Sequence, residues 1–372
     1  MSDNVFTTEA QLLRGKIESV AGTAETLADT DGDVRVRNIE WTNEVEFDNE
    51  SAKYKTGDHT HDEAIAGIAR GTITGDIKLA SGEFHYDNSG TDNITDSRLP
   101  YSKYLQACGL GEAITTPTDE NTEDGSWSFI PNKGNDSNTI TSALYEIQSG
   151  PSALGIEGKL AGAMGTFTLG ADGVGKPFMF NFTLSGKIDG VTEVANVNLP
   201  VFDDDNALST VASKFLNTVV SVEEVNQDGS DASNTPVEFC VDSFTLDPQN
   251  TLGEIKCQAD DAGIKHMTIT GRDPRLTITP LLKATSDFDY WTGITDMKIY
   301  TVTITNTNSQ TGNVFSVTVP RAQMITASGS DVDGFRRNEL TFRPLRNTQG
   351  ATAEAKENDY AISIGAVNVV AV

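Results

Sequence analysis

A two-residue rhythm constrains this chain more than any other feature. In residues 39–47, IEWTNEVEF, Ile39, Trp41, Val45 and Phe47 fall on one side and Glu40, Thr42, Glu44 and Glu46 on the other. Successive side chains of a strand point to opposite faces, whereas apolar residues of a helix recur three and four apart. The same rhythm runs through residues 71–79, where Ile73, Ile77 and Leu79 oppose Thr72, Thr74, Asp76 and Lys78. It returns in residues 178–186, with Phe178, Phe180, Phe182 and Leu184 set against Met179, Asn181, Thr183 and Ser185. Residues 298–319 read as a hairpin turning at Gly312-Asn313. The expected fold class is mainly β.

One stretch breaks the rhythm. In LPYSKYLQACGLG, residues 99–111, the side chains of Leu99, Tyr101, Tyr104, Leu105 and Cys108 recur at helical spacing. Pro100 suits a first turn and Gly109 a stop, so a short amphipathic helix is predicted. A repeat gives it a partner. Thr72-Ile73-Thr74-Gly75 recurs as Thr268-Ile269-Thr270-Gly271. An alternating strand precedes each copy, near 39–47 and 241–246, and an aromatic-rich segment follows each. The second such segment, SDFDYWTGITD, predicts a counterpart helix at Asp287–Ile294. The expected plan is two tandem β-sandwich or barrel domains, each with one short flanking helix. They span 1–200, with a polar insertion at 112–138, and 236–372, with an acidic linker region at 201–235 between them. Residues 206–225 read equally well as a short helix or a strand.

Composition narrows the function classes. The chain has 372 residues, 54 acidic and 27 basic, for a net charge of −27. Such a surface disfavours nonspecific binding to nucleic acid or anionic membrane. No apolar run approaches the roughly 18 residues of a membrane span, and the first twenty residues lack the basic and apolar regions of a secretory leader. Cys108, Cys240 and Cys257 are widely spaced and read as reduced thiols, with Cys108 a small buried side chain.

Candidate chemistry is sparse. Asp29, Asp31, Asp33 and Glu40 match positions one, three, five and twelve of a calcium loop, but Val34 stands where the turn glycine belongs. That segment reads as a solvated acidic turn. His59 and His61, with Asp58 and Glu63, are metal-ligand types on a polar stretch with no third histidine nearby. Nucleophile-elbow, phosphate-loop, dinucleotide and zinc-protease motifs are all missing. No catalysis, metal or cofactor is expected. Two other features suggest an assembly. Arg336, Arg337, Arg343 and Arg346 concentrate positive charge in an acidic chain, suiting contact with an acidic face of a neighbouring subunit. Glu40, Glu44 and Glu46 form a carboxylate row that, lining a ring, would repel the phosphates of DNA. On the residues alone, a β-sandwich binding or adhesion module dependent on calcium or carbohydrate, and a glycan-processing enzyme, stay open.

Residues 12–42 resemble the opening of tail tube proteins of long-tailed, non-contractile bacteriophages. The family's KxExxxGTA-like phrase falls on Lys16, Glu18, Gly22, Thr23 and Ala24. Its P-x-x-x-x-L-x-A-C-G helix is similar to Pro100, Leu105, Ala107, Cys108 and Gly109. GKPFMFNFTLSGKIDGV, residues 175–191, resembles the family's domain-closing hairpin, while residues 269–278 and 331–344 look like the second half of its longer members. The resemblance implies a homotrimeric ring of two-domain chains, stacked into a tube in the phage tail. Implied partners are the tape measure protein, the tail terminator, and distal tail or baseplate proteins. Viral DNA would pass through without specific binding, no membrane is involved, and assembly would occur in the host cytoplasm. It further implies an inter-ring loop at residues 48–64, including Asp48, Lys53, Lys55, Asp58, His59 and His61. The insertion at 112–138 departs from the family pattern.

Overall fold

The alternating segments become strands, and strands dominate the described residues. The structure, a computed structural model, describes residues 6–32, 34–48, 65–86, 94–117, 125–132, 138–148, 154–195, 197, 212–226, 235–307, 314–332, 334–347 and 359–370. The first half contains β1 (Phe6–Ile17), β2 (Val36–Asp48), β3 (Ile65–Lys78), β4 (Gly82–Tyr86), β5 (Ile94–Arg98), helix α1 (Ser102–Ala107), β6 (Leu110–Thr115), β7 (Ser126–Pro131), β8 (Ile140–Gln148), β9 (Gly155–Ala171) and β10 (Met179–Val194). The second contains β11 (Thr218–Val225), β12 (Val237–Phe239), β13 (Val241–Asp247), β14 (Thr251–Lys256), β15 (Ile264–Gly271), β16 (Arg275–Pro280), helix α2 (Tyr290–Thr295), β17 (Ile299–Thr307), β18 (Val314–Val332), β19 (Phe335–Pro344) and β20 (Ala361–Val370). The fold is mainly β, as the alternation predicts. Helix α1 lies within its expected segment, and α2 overlaps the expected Asp287–Ile294, beginning three residues later and ending one residue later. Among the described residues no helix is long and apolar enough to cross a membrane.

Strand order reveals the duplication. The first half runs β1-β8-β9-β10-β3-β2, every pair antiparallel. The second runs β11-β17-β18-β19-β16-β13, again all antiparallel. Each helix falls between the same two strands of its unit, α1 between β3 and β8, α2 between β16 and β17. Two details differ from the sequence-based plan. Thr268–Gly271 lies on β15, in a separate two-stranded hairpin with β14. The strand that occupies the place of β3 is β16, whose Thr277-Ile278-Thr279 carries the matching residues. Four residues of a Thr-Ile alternation recur wherever a half-buried strand does, so the short match fell one strand early. The expected linker region also contains β11, which pairs with β17 and β12 and so belongs to the second unit.

Among the described residues, pairing between named strands stitches the halves together in two places. β9 leaves β8 and pairs with β13 through Leu169↔Leu246, Gly170↔Thr245 and Ala171↔Phe244. β20 returns to the first half, antiparallel to β7 and parallel to β4, while also pairing with β18. The described part of the 112–138 insertion thus forms the β6–β7 hairpin that receives this strand. One apolar cluster runs through both units. At its centre Phe178 packs on Phe315 at 4.4 Å, Phe244 at 5.8 Å and Phe215 at 6.0 Å between ring centroids. Burying rings from both halves in one cluster couples their stability.

Helix α1 is a prop against that core. Tyr104 stacks on Phe182 at 5.1 Å, and Leu105, Ala107 and Cys108 are buried. The Cys108 thiol donates to the Thr166 carbonyl at 3.5 Å, and burial pushes its pKa up. It is a buried packing side chain, with none of the thiolate character a nucleophile needs. Helix α2 has a formal cap. The Asp289 carboxylate accepts from the Thr292 hydroxyl and from the Thr292 and Trp291 amides at 3.0 and 3.1 Å, and these bonds, the hydroxyl's first, hold its pKa below the usual range.

Candidate assembly surface

The β9–β13 junction merges four strands of each unit into one run of eight: β2-β3-β10-β9-β13-β16-β19-β18. Directly opposed residues in an antiparallel pair share a face. One face of the run is therefore the core side, with Ile73, Leu184, Leu169, Leu246, Ile278 and Leu340 all buried. The other is polar and rich in threonine. It carries Thr42, Thr72, Thr74, Thr183, Thr166 and Thr168 from the first unit, and Thr245, Thr277, Thr341 and Thr326 from the second. Neighbouring hydroxyls meet across strands, Thr72 with Ser185 and Thr277 with Thr341, each at 3.4 Å.

Glu40, Glu44 and Glu46 lie on β2 and are all exposed. Glu44 is not a free carboxylate. Arg70 on β3 donates to both its oxygens, each at 3.0 Å, and these bonds hold its pKa below the usual range. The arginines of the same face are similarly engaged. Arg70 also reaches Glu254 at 2.9 Å, Arg275 and Arg343 share Asp273, and Arg337 lies 3.7 Å from Asp242. Two of the four arginines expected at a subunit contact, Arg337 and Arg343, thus hold carboxylates of their own chain. Arg336 is exposed near the β18–β19 tip, and the backbone carbonyl of Arg346 accepts from Arg321. A guanidinium already bonded to a carboxylate has little left to offer a phosphate.

The eight-strand run ends in two open edges. Among the described residues β2 pairs only with β3. At the other end, β17 and β20 pair with β18 only as far as Gln323, leaving residues 324–332 with β19 alone. Unpaired edges are templates for another strand.

The family-like phrase near the start builds a junction beside this sheet. Glu18 is 7% exposed, and its carboxylate accepts four hydrogen bonds. The donors are the Gly22 and Gly162 amides at 2.7 and 2.6 Å and the Thr139 and Thr141 hydroxyls at 2.7 and 2.9 Å. Both glycines have positive φ, +79° and +59°, and both touch the β14–β15 hairpin so closely that a Cβ would meet the backbone of Lys265 or His266. The hairpin is then fastened by Lys187–Asp260 at 2.6 Å, by Arg70–Glu254, and by Asn250, which donates to the carbonyls of Cys108 at 2.7 Å and Gly165 at 3.0 Å. Met164, Ile264 and Met267 pack beneath it with Ile68, Leu252 and Ile269. It covers the end of the polar face that carries Arg70, Lys187 and Met164.

The calcium-like segment is a turn. Asp29 pairs with the buried Arg14 at 2.8 Å, and the Asp31 carboxylate accepts from the Ala28 amide at 2.7 Å, closing a short 3-10 turn at Asp29–Gly32. Asp33 lies outside the described residues. So do Lys53, Lys55, Asp58, His59, His61 and Glu63 of the expected inter-ring loop; Asp48 closes β2. Sequence reading missed the second half of the polar face, although Thr245, Thr277 and Thr341 each sit in an alternating strand. It also missed Asp242 and Asp273 as arginine partners. No protein-family model and no curated protein matches the chain.

Proposed function

We propose that this chain is the major tail tube subunit of a bacteriophage with a long, non-contractile tail, a structural protein without catalytic work. The observation that carries the reading is the eight-strand run, with one polar face, made from two equivalent four-strand units and open at both ends. Head-to-tail pairing of those edges closes a ring, and a trimer of two-unit chains has near-sixfold symmetry. Three copies of eight strands form a barrel of twenty-four. At a strand spacing of about 4.8 Å and a tilt of about 40°, its facing backbones stand about 50 Å apart. Such a ring turns the threonine-rich face inward. Its hydroxyls hydrate the wall, Glu40 and Glu46 repel phosphate, and arginines bonded to carboxylates give DNA no grip.

Stacked rings would enclose a tape measure protein and later conduct DNA, with terminator and distal tail proteins at the two ends, all within the virion. Negative-stain microscopy of the purified chain tests this. Rings or tubes with threefold symmetry are expected. A chain that stays monomeric at high concentration overturns the reading.

A further inference from the structure

We infer that the β9–β13 junction within one chain is the template for the contact between chains, and that it fixes the register in which β2 of one copy pairs with β18 of the next. The inference rests on the ring reading above and adds its atomic pairing. Two rows of directly opposed residues align the units. In the first unit the row is Trp41, Ile73, Leu184 and Gly165, on β2, β3, β10 and β9. In the second it is Phe244, Ile278, Leu340 and Ala327, on β13, β16, β19 and β18. The rows match strand for strand, aromatic, isoleucine, leucine and small residue in the same order.

This alignment makes Thr42 the equivalent of Thr245 and Asn43 that of Leu246. No bulge interrupts the pairing of β9 with β10 between Met164 and Gly170, nor that of β18 with β19 between Thr326 and Val332. Gly170 is therefore equivalent to Val332, and Leu169 to Asp331. Within the chain, Gly170 opposes Thr245 and Leu169 opposes Leu246. Between chains, Val332 of one copy opposes Thr42 of the next, and Asp331 opposes Asn43. Both edges are open in this stretch among the described residues.

Charge supports the same register. Two residues along, Glu44 falls opposite Ser330, which itself opposes Arg337 on β19. An acid at the edge of one copy thus shares a cross-strand row with an arginine of the next, one strand between them. Glu44 is held by Arg70 and Arg337 lies 3.7 Å from Asp242, so the row adds a longer-range attraction between groups already paired within their own chains. A slip of one residue would turn Thr42 towards the core side and lose this row.

Disulfide trapping tests the register. Cys240→Ser and Cys257→Ser remove the two accessible thiols, and the buried Cys108 stays. Thr42→Cys with Val332→Cys is then oxidised in assembled protein and run on a denaturing gel, with microscopy in parallel. Directly opposed residues lie about 4.5–5.5 Å apart at Cα, within disulfide reach, while a slip of two residues exceeds it. The expected result is a covalent ladder that stops at the trimer, with at least five-fold less product from Glu44→Cys with Val332→Cys. Asn43→Cys with Asp331→Cys probes the same register should the first pair impair folding, and it too is expected to link. Rings or tubes in which neither opposed pair links, or only the slipped pair does, overturn the register and leave the tube reading standing. Absence of rings and tubes from the unmodified chain overturns both.

Discussion

Replacing Glu18 by glutamine tests whether the family-like phrase is a structural junction. The carboxylate is nearly buried, and each oxygen accepts one backbone amide and one threonine hydroxyl. An amide side chain has the same shape but only one acceptor oxygen. A threonine hydroxyl can rotate to accept from the new NH₂ group; a backbone N–H cannot. Whichever way the amide is turned, the Gly22 or Gly162 amide faces another donor. One buried orphan donor costs about 1–3 kcal/mol, and the remaining bonds lose their charge assistance, so Glu18→Gln is expected to destabilise by about 2–4 kcal/mol. Urea unfolding of unassembled chain, followed by tryptophan fluorescence, measures this as a lowered midpoint. Thr141→Val removes one hydroxyl donor and should cost about 1–2 kcal/mol. Because both changes act on the same oxygen network, the double variant should lose less than the two single losses combined. A midpoint shift worth under about 0.5 kcal/mol for Glu18→Gln, or strict additivity, would refute the junction.

Three further outcomes follow. Glu25 accepts from the Ser19 hydroxyl and amide and pairs with Lys16, which lowers its pKa from 4.5 to about 2. Its contribution is therefore present above pH 4.5 and lost as pH falls towards 2, so Glu25→Gln should flatten acid unfolding in that window, read by circular dichroism. A thiol reagent applied to native protein should label the exposed Cys240 quickly and Cys108 only after unfolding, as mass spectrometry of labelled peptides will report. Glu40→Lys with Glu46→Lys places two cations on the polar face. On the tube reading, tubes should still form while DNA release from particles carrying the variant slows; unchanged release would place those residues off the conduit.

How much of this was legible in the sequence depends on the range of each interaction. Period-two alternation is local, so β2, β3 and β10 could be read directly from Ile39–Phe47, Gly71–Leu79 and Phe178–Gly186. Helix α1 announced itself by spacing and by Pro100 and Gly109, and α2 by its aromatic cluster. Pairing is not local. Nothing in Thr268–Gly271 says that it hydrogen-bonds only to β14, while Thr277–Thr279, a few residues later, takes the place of β3 in the second sheet. The exposure of Glu44 was readable from alternation, yet its bond to Arg70 needed the register of β2 on β3. The arginines of β19 stood out by composition, but Asp242 and Asp273, which engage two of them, are far away in sequence. Glu18 carried a family-like phrase whose purpose became visible only when Thr139, Thr141 and Gly162 closed around it.

The path of β20 sets a timetable for the molecule. Residues 361–365 lie between β7 of the first half and β18 of the second, and residues 366–370 run on parallel to β4. A ribosome has finished β4 and β7 long before it makes this strand. Until then β7 and β4 have only β6 and β5 beside them among the described strands, and Trp127, stacked on Phe84 at 4.7 Å, lacks part of its surroundings. The β6–β7 and β4–β5 edges of the first half are therefore completed only by a strand made after the rest of the second half. On the tube reading, this late closure is a built-in delay, one that keeps copies without β20 from joining a growing polymer.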